Sequence, residues 1–103
     1  MQIKDYQSEV TRTMGKLSFR DGLCAWGLGL AGEVGEVIEP IKKHVFHGKT
    51  LDIAHLEKEV GDVLWYLSAL CNELDIDMET VLDKNTEKLR ARYPDGFKRA
   101  DDV

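Results

Sequence analysis

Two pairs of acids, Glu33/Glu36 and Glu59/Asp62, stand three residues apart inside segments with helical apolar spacing. At about 100° per residue, such positions lie on neighbouring rows of one helix face. Each pair sits on the same flank of its own apolar stripe. Packing the two helices through those stripes therefore gathers four carboxylates at one edge of the core. Carboxylates so placed repel one another, and their pKa values rise or the helices splay unless a cation intervenes. An all-oxygen set favours a hard cation, Mg²⁺ with Mn²⁺ as an alternative, over zinc or copper. Mg²⁺ keeps waters and takes phosphate oxygens as further ligands, which suits phosphoryl chemistry. The competing reading is two solvated acidic faces, because charges three apart are common on exposed helices.

The device is repeated. Leu30 to Ile38 and Leu56 to Leu64 share an acid, Val, Gly, acid, Val core. Gly29 and Gly32 lie on the carboxylate side of their helix. Glycine inside a helix costs about 1 kcal/mol against alanine, so something approaches that backbone closely: a ligand or another helix. Glu39 and Glu57 fall elsewhere on their wheels and read as solvated charges.

Four helices position these groups. The first is expected from Gln2 to Lys16, with Ile3, Tyr6, Val10, Met14 and Leu17 on one face. A loop follows at Ser18–Asp21. The second is expected from Gly22 to Phe46, with Pro40 kinking it near its end and Gly48 stopping it. Asp52 is the expected N-cap of the third and Asp77 of the fourth, which ends before Pro94. The tail Asp95–Val103 is expected to be loosely ordered. Strand-like alternation is absent. The pattern is an all-α, four-helix bundle of one domain spanning residues 1–103.

The 103 residues carry 14 basic and 19 acidic side chains, a net charge of −5. That balance argues against a nucleic-acid polymer as partner, since phosphate neutralisation needs a basic surface. No apolar run reaches the roughly 20 residues that span a bilayer. Nor does the N-terminus carry an apolar signal core. Cys24 and Cys71 read as reduced thiols of a cytoplasmic protein.

Three cations and an amide, Lys84, Asn85, Lys88 and Arg92, share one flank of the fourth helix. They could bind a triphosphate tail or pair with acids of neighbouring helices. Trp26, two turns before Glu33, and Tyr66, one turn after Asp62, could stack on a nucleobase or pack in the core or at a subunit contact. Trp65 points away from its helix's core stripe and is expected at a subunit contact. Gln7 falls near the apolar face of the first helix, where its amide needs partners, structural ones or a base edge. His44 and His47 form H-x-x-H without a third ligand. They are expected to interact with the end of their helix rather than hold zinc.

Glu33-x-x-Glu36, a linker of 22 residues, and Glu59-x-x-Asp62 resemble the signature of the MazG family of all-α NTP pyrophosphatases. So do the flanking segments and the run Asn85-x-x-Lys88-Leu-x-x-Arg92-Tyr-Pro, and the likeness spans roughly Tyr6 to Phe97. The resemblance implies Mg²⁺ at the four acids. It implies hydrolysis of a nucleoside triphosphate, a dNTP or non-standard NTP, to monophosphate and pyrophosphate, in nucleotide-pool housekeeping. Asn85 and Lys88 become substrate-binding candidates, and the protein a homodimer or dimer of dimers. Two readings stay open beside it: a phosphoribosyl-ATP pyrophosphatase-like enzyme, and a non-catalytic nucleotide- or metal-binding module.

Overall fold

The first helix begins where Gln2 offers its backbone N–H to the Asp5 carboxylate, 3.3 Å away. In the computed structural model, which describes residues 1–97, four helices follow in order: α1 Ile3–Met14, α2 Phe19–His47, α3 Ile53–Glu73 and α4 Met78–Arg92. Among the described residues there is no strand. The all-α expectation holds.

The boundaries follow the caps. α1 stops two residues short of the expected Lys16 because Gly15 turns to φ 73°. α2 begins inside the segment expected as a loop, since Ser18 Oγ accepts the Asp21 N–H at 3.1 Å and makes Ser18 the N-cap. It runs as one helix through Pro40 to His47 and ends at left-handed Gly48. Asp52 caps α3 through the His55 N–H at 3.1 Å. Asp77 caps α4, accepting the Glu79 N–H and the Thr80 hydroxyl. Asp75, at φ 56°, makes the sharp reversal between α3 and α4. After α4 the chain turns at Pro94 and Asp95, where the Tyr93 and Phe97 rings meet edge to face. Of the tail expected to be loose, residues 98–103 lie outside the described part.

α2 packs along α3, α1 lies across α3, and α4 rests on α1. Val10, Trp26 and Ala69 form the buried centre, with Tyr6, Met14, Ala25, Trp65, Tyr66 and Leu70 around it. Trp65 stands edge-on to both Trp26 (centroids 5.4 Å apart) and Tyr66 (5.0 Å). Its indole N–H donates to Thr13 Oγ1 at 2.8 Å. Trp65, expected at a subunit contact, thus has partners within the chain on both α2 and α1.

Polar groups finish the joint. Gln7 donates to Asn72 Oδ1 and the Ile76 carbonyl and accepts the Met78 N–H, each near 3 Å. Asn72 donates back to the Gln7 carbonyl. Every hydrogen-bonding need of the Gln7 amide is thus met by the α3–α4 turn, and its reading as a structural residue holds. Ser68 is fully buried with its hydroxyl unpaired.

One chain leaves much apolar surface uncovered. Val34, Ile38, Ile41 and Val45 on α2 continue into Val60, Leu64 and Leu67 on α3, all exposed. The radius of gyration is 17.2 Å, against roughly 13 Å for a compact chain of this length.

Candidate metal centre

The packing of α2 on α3 decides where the acids lie. Gly29 faces Tyr66 so closely that a Cβ at residue 29 would fall inside the phenol ring. Gly22 stands in the same relation to the Glu73 carboxylate, which also accepts the Trp26 indole N–H at 3.0 Å. The helices meet at these two points, and α2 then passes Glu33 alongside Glu59 and Asp62. One carboxylate oxygen from each of those three residues lies within 4.8 Å of the others. Glu36, one turn on, is exposed and stands outside the cluster.

The electrostatics match that crowding. Partial burial, then the charges of Asp62, Glu59 and Glu36, push the Glu33 carboxyl above its ordinary pKa. Glu36 therefore belongs to the same electrostatic neighbourhood. Burial and the charge of Asp62 likewise push the Tyr6 phenol up, which marks α1 as a wall of the site. Beside the cluster, the His55 Nε2 lies 3.5 Å from Glu59 Oε1. Three oxygens from two rigid helices, with a fourth carboxylate a turn away, fit a hard divalent cation that leaves positions open for water or phosphate. Chemically, the set can hold such a cation and a proton at Glu33.

The family model described as "MazG nucleotide pyrophosphohydrolase domain" matches residues 25–97. That span contains all four acids and the basic flank of α4. This chain belongs to the MazG nucleotide pyrophosphohydrolase family. Gene 37 protein of Mycobacterium phage L5 is 37% identical over 81 residues, covering 74% of this chain and 70% of that protein. The uncharacterized protein YpjD of Bacillus subtilis (strain 168) is 34% identical over 107 residues, covering 97% and 94%. No solved structure matches the chain at the same stringency. Family membership points to nucleotide pyrophosphohydrolysis. Among the described residues, no helix of this MazG domain is long and apolar enough to cross a membrane.

The other candidates fall in different places. Lys84, Asn85, Lys88 and Arg92 are all exposed on α4. Among the described residues the three cations pair with no acid, and Arg92 lies over the Tyr93 ring, 5.3 Å from its centroid. α4 itself packs on α1. Trp26 is only 7% exposed, with its N–H spent on Glu73. Tyr66 is half-buried against Gly29 and Trp65. Both rings act in packing α2 onto α3, the alternative their spacing left open. Of the two glycines on the carboxylate side, Gly29 serves that packing, while Gly32 faces open space. His44 bonds the Lys49 carbonyl at 2.7 Å beyond the end of α2, as its position at the helix terminus suggested. Cys24 and Cys71 are free thiols.

Sequence reasoning missed His55 and Tyr6 as neighbours of the acids. His55 stands four residues before Glu59, the spacing of side chains stacked on one helix face. Tyr6 carried no such signal, because its approach to Asp62 is made by the α1–α3 crossing.

A raised Glu33 pKa has a definite consequence for stability. Below the ordinary carboxylate pKa the group is protonated in both states and costs nothing. The penalty builds as pH rises from the ordinary value to the raised folded one, where only the unfolded chain ionises freely, and it is complete above both. Glu33→Gln, which mimics the protonated form, should therefore melt like the parent near pH 4 and above it near pH 8, in EDTA. Saturating Mg²⁺ should erase or reverse that advantage. Thermal melts at the two pH values check this; a difference independent of pH would remove Glu33 from the crowded cluster.

Proposed function

We propose that this protein hydrolyses a nucleoside triphosphate between its α- and β-phosphates in a Mg²⁺-dependent reaction, with a dNTP or non-standard NTP as substrate. The observation that carries the reading is the convergence of Glu33, Glu59 and Asp62 oxygens from two helices within 4.8 Å, in a chain of this family. Bound at these oxygens, Mg²⁺ would neutralise charge on the phosphate oxygens and acidify a water. Glu59 and Asp62 would hold the cation, with Glu36 as a further ligand. Glu33 is the group with a raised pKa, and it takes the proton of the water that attacks the α-phosphorus. The bond to the bridging oxygen breaks and pyrophosphate leaves, so water and triphosphate become monophosphate and pyrophosphate. Asn85, Lys88, Arg92 and Lys84 receive the triphosphate tail, with Arg92 as a two-pronged donor. Nucleotide-pool housekeeping is the role such an activity would serve.

A second copy of the chain completes the fold in this reading. The chain exposes 8138 Å², whereas a folded monomer of this mass exposes roughly 5,900 Å². An excess of roughly 2,000 Å² per chain is the scale that obligate dimers bury. The uncovered stripe from Val34 to Val45, with Val60, Leu64 and Leu67, is the surface to be covered.

The reaction is tested with a panel of canonical and modified NTPs and dNTPs, in Mg²⁺ or EDTA, with products separated by chromatography. Monophosphate and pyrophosphate should form from one or a few of them, and EDTA should abolish turnover. Asp62→Asn and Glu33→Gln should each lower kcat at least 100-fold. Release of orthophosphate, or turnover indifferent to both substitutions, would sink the proposal. Sedimentation equilibrium should give a dimer or larger, reduced to a monomer by Ile38→Glu; a monomeric parent would refute the assembly.

A further inference from the structure

The cluster has an outer contact that the proposed reaction does not use. Within the cluster, the Glu59 side chain is only 16% exposed, with Glu33 and the His55 imidazole as neighbours. His55 is fixed at its root: its backbone N–H is taken by the Asp52 carboxylate, so the residue sits in the capped first turn of α3. Four residues on, Glu59 falls directly above it, with Nε2 to Oε1 at 3.5 Å.

We propose that His55 is a positioning residue for the metal centre, holding one oxygen of Glu59 so that the other faces the cation. This rests on the reading of Glu59 and Asp62 as metal ligands beside Glu33. A neutral imidazole suffices, provided that its proton is on Nε2. At 3.5 Å the contact is longer than a mature hydrogen bond, and a small rotation of the 53%-exposed His55 side chain closes it. An ordinary surface pair at this spacing adds slightly to helix stability and does nothing else. Here the acid has a second task. A freely rotating Glu59 must be ordered again each time a cation binds, whereas a tethered one is ordered in advance. Outer contacts to ligating groups typically set metal affinity by about 10- to 100-fold. Sequence spacing alone cannot separate the two roles, because both need only an i, i+4 pair; the enclosure of Glu59 and its convergence with α2 separate them.

The test is Mn²⁺ binding to the full chain without nucleotide, read from the free-Mn²⁺ electron paramagnetic resonance signal, beside the Mg²⁺ concentration giving half-maximal pyrophosphate release. His55→Leu should raise the Mn²⁺ Kd about tenfold and the Mg²⁺ activation constant in parallel. Its kcat at saturating metal should stay within about twofold of the parent, because the tether acts on affinity rather than on the reacting atoms. His55→Gln, whose side-chain amide also donates, should restore the Kd to within about threefold. Melting in EDTA should be nearly unchanged in both, as expected at an exposed position. A His55→Leu protein that binds Mn²⁺ like the parent would overturn the proposal and leave the metal centre standing. So would a His55→Gln protein as weak as His55→Leu. A parent protein that binds no Mn²⁺ would overturn the metal-centre reading and this inference together.

Discussion

Three carboxylates held within 4.8 Å of one another repel, and helix packing must supply the work that keeps them there. That constraint organises the rest of the chain. Separating α2 from α3 by the width of a side chain would relieve the charge, so the helices need contacts that forbid it. They have two. Tyr66 lies on the bare backbone of Gly29, and Glu73 lies on Gly22 while holding the Trp26 indole. Each glycine gives up about 1 kcal/mol of helix propensity and in return lets the axes approach. The acid cluster is therefore strained electrostatically and braced mechanically, a combination a cation relieves without moving either helix.

The brace extends outward through α1. Trp65 stands between Trp26 and Tyr66 and anchors on Thr13, so the aromatic ladder that seats α2 also seats α1. Gln7 and Asn72 then fix the reversal that starts α4. Positioning thus runs from the acids through the ladder to the α3–α4 turn. The apolar stripe from Val34 to Val45 is the part this chain does not cover by itself. In the proposed dimer, the same α2–α3 pair would present acids at one edge and subunit contacts at the other.

Much of this was legible in the sequence, for identifiable reasons. Helical periodicity and caps are local, so four helices, the Asp52 and Asp77 caps and the stop at Gly48 could all be read. Ser18 was the exception: it lies in a polar stretch that looks like loop until its hydroxyl is seen to cap Asp21. The pairing of Glu33 with Glu59 and Asp62 was readable because each acid keeps a fixed offset from its own apolar stripe. What could not be read depended on tertiary contacts. Trp65 points off its helix's stripe, and its partners Trp26 and Thr13 come from α2 and α1, far away in the sequence. Trp26 and Tyr66 have the spacing of base-stacking residues, but a ring beside a glycine on the facing helix is also what close packing requires. The proximity of Tyr6 to Asp62 arises wholly from the α1–α3 crossing.

The central claim is that the α2–α3 acids form a divalent-cation site, and crystals of the protein grown or soaked with Mn²⁺ test it most directly. An anomalous difference map should show a peak within coordination distance of Glu59 and Asp62, beside Glu33, with Glu36 turned in or reached through water. A map with no peak there at saturating Mn²⁺, or with its peak away from these three residues, would contradict the account.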